Sequence, residues 1–135
     1  MRRIIATIAL LGMSLVMMLA PTPASAASDV EVTAATLVAR GVAVDVSLSV
    51  TCQSGLSGGA EMIIRQRSGD RVASASGWGP VYCTGQPQIV TGRAWVEGGG
   101  LVIKPGVALI SGGFELCGDV GCSGPRFEQT FRITR

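Results

Sequence analysis

Between Val42 and Cys52 the chain alternates without a break. Val42, Val44, Val46, Leu48, Val50 and Cys52 fall on one side; Ala43, Asp45, Ser47, Ser49 and Thr51 fall on the other. A period of two over that length is the signature of a half-buried β-strand, whereas a helix would scatter the valines around its circumference. The pattern recurs less perfectly along the chain. Val30–Val38 is rich in β-formers. Ala60, Met62 and Ile64 alternate with Glu61, Ile63, Arg65 and Arg67, and Ser68-Gly69-Asp70 then marks a turn into Arg71–Ser76. Ile89–Glu97 is closed by Gly98-Gly99-Gly100, which precedes a strand-like segment, and Lys104-Pro105-Gly106 punctuates the run into Gly106–Cys117 and Phe127–Thr134. No amphipathic helix of useful length interrupts these segments. About seven short strands with glycine-rich turns predict an all-β, two-sheet antiparallel sandwich in one domain.

The first residues have a different pattern. Met1-Arg2-Arg3 is charged, Ile4–Ala20 is apolar, and Pro21–Ala26 ends in small residues. That order is a Sec-type secretory signal peptide, and the apolar run is short for a bilayer span. The reading divides the chain into a signal peptide, 1–26, and a mature domain, 27–135, secreted, with no lipid-attachment cysteine and no C-terminal anchor. The division changes the charge. The whole chain has 11 basic and 9 acidic residues; removing Arg2 and Arg3 leaves nine of each. A neutral domain lacks the clustered cations that supply nucleic-acid affinity, and nothing in it reads as a membrane anchor. There is no histidine, the commonest general base and metal ligand, and no asparagine to accept an N-glycan.

An exported chain with four cysteines calls for disulfides. In Gly106–Cys117, residues Ala108, Ile110, Gly112, Phe114 and Leu116 share the core face, so Cys117 points outward. Counting back from Phe127, Gln129, Phe131 and Ile133 gives Cys122 the same outward parity. Facing positions of a hairpin lie within disulfide reach. A 117–122 bridge sets a register in which Gly112 faces Phe127, Ala108 faces Phe131 and Ile110 faces Gln129, with a small residue twice opposite a ring. In an immunoglobulin-like order the second strand runs antiparallel to the fifth, which brings Cys52 to Cys83. The expected bridges are therefore 52–83 and 117–122. Zinc knuckle spacing and a C-x-x-C redox pair are both missing, and no metal or other cofactor is expected.

The valine strand ending "VTCQSG", the later "VYCTGQP" and the hairpin "ELCGDVGC" before "FEQTFRIT" resemble small secreted bacterial proteins of unknown function with immunoglobulin-like domains. The C-x4-C hairpin is also similar to that of the neocarzinostatin-type apoproteins, seven-stranded sandwiches that carry an enediyne chromophore. Their other bridge closes a short loop, whereas Cys52 and Cys83 lie far apart. Neither resemblance implies catalytic residues.

The same holds for the residues themselves. Serines are plentiful, but no histidine or suitably placed lysine activates one. The acids stand singly along strands, and no glycine-rich stretch opens a helix as a phosphate loop would. The expectation is a non-catalytic binding or interaction module whose partner is an extracellular protein, a glycan or a small molecule. A carrier of the chromoprotein type and a secreted protease inhibitor, presenting Gly118–Gly121, are the alternatives. The candidate contact residues are Trp78, Tyr82 and Trp95, the only tryptophans and tyrosine. Trp95 shares an outward parity with Arg93 and Glu97; Trp78, between two glycines, reads as a loop residue. Average burial favours tryptophans that plug the sandwich, and recognition favours tryptophans that stand on its surface.

Overall fold

A computed structural model describes residues 27–135; the expected signal peptide, 1–26, lies outside them. The described chain is all-β, with strands β1 (Ala27–Val38), β2 (Ala43–Cys52), β3 (Ser57–Ser68), β4 (Arg71–Tyr82), β5 (Gln88–Val96), β6 (Gly106–Gly118), β7 (Gly121–Ser123) and β8 (Arg126–Ile133). Its one helical piece is a 3-10 turn, Ala39–Gly41.

The strands form one sheet in the order β1-β2-β5-β4-β3-β6, with β7 and β8 both paired to β6. This corrects the expected pair of separate sheets. Two groups, β1-β2-β5 and β4-β3-β6-β8, are joined by β4–β5 pairing from Ala75↔Val96 to Trp78↔Arg93. On the far side, Thr36 and Thr134 form a parallel bridge between β1 and the end of β8, where the Gln129 Oε1 also accepts the Val32 N–H at 2.9 Å. The result is nearly a closed barrel. Glycine explains the β4–β5 seam: a Cβ at Gly77 would overlap the Arg93 carbonyl, and one at Gly79 would crowd Thr91. A side chain at either position would hold the two groups apart.

The core follows the alternation. Val44, Val46, Leu48, Val50 and Cys52 are buried along β2, facing Met62 and Ile64 of β3 and Ile110 and Leu116 of β6. The Met62 methyl occupies the space that Gly92 leaves on β5. Val42 departs from the pattern and is exposed, because it closes the 3-10 turn in an αR conformation before β2 begins. The β6–β8 register is the expected one: Gly112↔Phe127, Ala108↔Phe131, Ile110↔Gln129. The Phe114 and Phe127 rings stand 6.1 Å apart at 60°, a tilted arrangement that aromatic quadrupoles favour.

Both expected disulfides form, Cys52–Cys83 and Cys117–Cys122. The first is buried and ties the β2–β3 and β4–β5 connections, which also exchange backbone bonds from Cys83 N–H to Leu56 O (2.8 Å) and from Gly85 N–H to Cys52 O (3.1 Å). The second staples the β6–β7 hairpin outside the barrel.

At the opposite end, the segment after Gly98-Gly99-Gly100 looks strand-like in sequence but forms no strand before Gly106. The segment is held instead by Gln66, the one buried polar side chain among the described residues. Its Oε1 accepts the Lys104 N–H and its Nε2 donates to the Lys104 carbonyl, both at 2.8 Å. Ile103 is buried, and its N–H bonds to Gly41 O at 2.9 Å. Gly41 has φ +87°, and a Cβ there would overlap the Ile103 carbonyl.

Candidate functional site

The outer face of β4 carries Val72, Ser74, Ser76, Trp78, Pro80 and Tyr82 in alternation. Trp78 is therefore a strand residue, which corrects its reading as part of a loop; it pairs with Glu61 on one side and Arg93 on the other. On β5 the outer face carries Ile89, Thr91, Arg93 and Trp95. Trp78 is 59% exposed, Trp95 51% and Tyr82 72%, with Ile89 and Val72 at 61% each. Most of the large apolar side chains on the surface thus share one face.

Each of the three aromatic residues is positioned. The Trp78 indole lies over Gly59 of β3, where any Cβ would collide with Nε1 and Cε2. Trp95 has the Arg93 guanidinium over its ring, 5.8 Å from the centroid. Arg93 is fixed in turn by a two-pronged bond to Asp45 of β2, Nε to Oδ1 at 2.6 Å and Nη2 to Oδ2 at 2.9 Å, a planar match specific to guanidinium and carboxylate. Hydrogen bonding from Arg93 holds the Asp45 carboxyl below its ordinary pKa, and Asp45 raises that of Arg93. Tyr82 ends β4 beside Cys83. Its carbonyl accepts the Gln88 Nε2–H at 2.8 Å, while the Gln88 Oε1 accepts the N–H and hydroxyl of Thr84, both at 3.0 Å.

In the backbone register Trp78 and Trp95 hold diagonal positions across the seam, with Arg93 directly opposite Trp78. Tyr82 stands four residues along β4 from Trp78, about 13 Å at the rise of an extended strand. The structure places all three on the outer face of β4 and β5, but the Trp78 ring leans toward β3, over Gly59, rather than toward Trp95.

A shallow trough that sequence reasoning missed begins at Trp78 and crosses β3 and β6. Its volume is about 540 Å³, with Gly59 and Gly113 in its floor and Trp78, Glu61, Glu115 and Arg126 around it. A second depression of about 480 Å³, toward Ile63 and Phe127, shares Glu61 and Arg126 with it. The available signal was the pair of glycine doublets, Gly58-Gly59 and Gly112-Gly113, inside strand patterns, since such glycines mark close approach or missing side-chain cover. Glu115 gathers with Cys117 and Cys122, but the two sulfurs are bonded to each other and offer no thiolate to a metal.

No family model, curated protein or solved structure matches the chain.

Proposed function

We propose that the chain is a secreted, non-catalytic binding module with an immunoglobulin-like arrangement of strands, and that its partner docks on the outer face of β4 and β5 with Trp78, Trp95 and Tyr82 as anchors. One observation carries the reading: two tryptophans, each more than half exposed, are held in place by Gly59 and by the Asp45–Arg93 pair. Large apolar groups kept in water cost free energy that a soluble domain has no structural reason to spend, and exposed apolar patches rimmed by polar groups mark interaction surfaces. Rigid Trp and Tyr anchors lose little conformational entropy on binding. The β2–β5 and β3–β6 pairings support the immunoglobulin-like order, and two formed disulfides support an oxidising compartment.

The trough beside Trp78 favours a second reading, a small-molecule carrier of the chromoprotein type. Native mass spectrometry of the protein isolated from its producer's culture medium separates the two. A co-purifying polypeptide or glycan, lost from Trp78→Ala/Trp95→Ala, supports the module. A reproducible small added mass lost from Trp78→Ala but kept by Trp95→Ala supports the carrier. Partners retained by the double variant would refute both.

A further inference from the structure

The end of the barrel away from both disulfides holds a pocket of about 370 Å³ walled by Leu37, Val102 and Ile103 and ringed by the cations Arg40, Lys104 and Arg135. No acidic side chain lines it. The only ion pair among the described residues is Arg93–Asp45, so no acidic side chain pairs with any of the three cations. Three cations thus gather around one apolar cavity, in a domain whose basic and acidic side chains balance overall.

The pocket is built by specific constraints. The buried Gln66 amide clamps Lys104 at both its N–H and its carbonyl, and the Ile103 N–H is fixed on Gly41. Opposite, Ala39 and Arg40 both adopt left-handed backbone conformations, φ 50° and 58°, ahead of Gly41. Consecutive non-glycine residues in that region are costly, and such strain concentrates at sites that bind. Here it carries Arg40 to the pocket that Lys104 also lines.

We propose that this pocket binds a free, single-chain anionic amphiphile: a short apolar tail entering between Leu37 and Ile103, and a carboxylate or phosphate head held by Arg40, Lys104 and Arg135. An apolar cavity with a few convergent charged donors is the general form of a small-ligand site, and charge-assisted bonds from three cations select an anionic head. The site is separate from the aromatic face, so either can fail without the other.

Titration calorimetry of the disulfide-bonded protein with octanoate, octyl phosphate, octanol and inorganic phosphate tests it. Saturable binding of octanoate and octyl phosphate is expected, with octanol and inorganic phosphate each at least about tenfold weaker. Arg40→Gln/Lys104→Gln removes two exposed charges and should weaken octanoate about tenfold. Arg67→Gln/Arg71→Gln, an equal charge change on the strands flanking the β3–β4 turn, should leave it unchanged. The proposal is overturned if octanol binds as well as octanoate, if the two double variants weaken octanoate equally, or if octanoate does not saturate. Sedimentation with phosphatidylglycerol vesicles in a protein that takes up no octanoate would also overturn it, by making this end a membrane-facing surface.

Discussion

Trp78 and Gly59 act as a pair. The indole covers a position where β3 has no side chain, and the contact sets the direction in which the ring points. Gly59→Ala should push the ring off the sheet and cost about 1–3 kcal/mol, the range for inserting a methyl into a filled space. Denaturant unfolding measures the cost, and increased iodide quenching reports the displaced ring. Asp45 offers a different check. Its pKa is depressed by the Arg93 hydrogen bonds, so the stabilisation is fully present above the unfolded carboxylate value of about 3.9 and is lost as pH falls through the lower folded one. Both side chains are partly exposed, at 46% and 35%, so solvent screening keeps the effect small. The unfolding midpoint of the wild type should exceed that of Asp45→Asn at pH 6 and converge with it near pH 2. A gap that persists unchanged into acid would mean that the ion pair is not what Asp45 contributes. The outward parity of Trp95 was legible because it depends only on counting along β5. The exposure of Trp78 was not, because it depends on what β3 lacks beneath it.

At the scale of elements, the two disulfides make unequal contributions. Cys52–Cys83 spans 31 positions and is buried; Cys117–Cys122 spans 5 and lies at the surface. Loop-closure entropy assigns about 4 kcal/mol to the first and about 2 kcal/mol to the second. Cys52→Ala should therefore lower the unfolding free energy more than Cys122→Ala, as measured by guanidinium titration. Equal losses would contradict the loop argument. The β6–β8 register could be read from the chain because the staple and the small-against-aromatic pattern impose the same alignment. The second half of β4 could not: Gly77-Trp78-Gly79-Pro80 has the composition of a turn. It remains a strand because β3 pairs with it throughout, to Ser57↔Tyr82, while β5 pairing stops at Trp78. Pro80 thus sits where β4 has become an edge strand, the setting in which a missing N–H is tolerated. Gln66 continues the inward parity of Met62 and Ile64, but its partner at Lys104 lies 38 positions away and no local pattern announces it.

Across the whole molecule, alternation along each strand gives strand class and inward faces, since burial on one side leaves a period of two. It does not reveal which edges meet. The joining of β4 to β5 depends on glycines that let two backbones approach, and the near closure at β1 and β8 on a single bridge and one glutamine. The same closure leaves two separated surfaces, an aromatic face along β4 and β5 and a cationic pocket at the end opposite the disulfides. The central claim is that the first of these is where a partner binds. Iodide quenching of tryptophan emission, in the free protein and in the complex recovered from the producer's medium, tests it most directly. The account predicts red-shifted, readily quenched emission from the free protein and blue-shifted, protected emission from the complex. Blue-shifted emission that already resists iodide in the free protein, or quenching that the complex leaves unchanged, would contradict it.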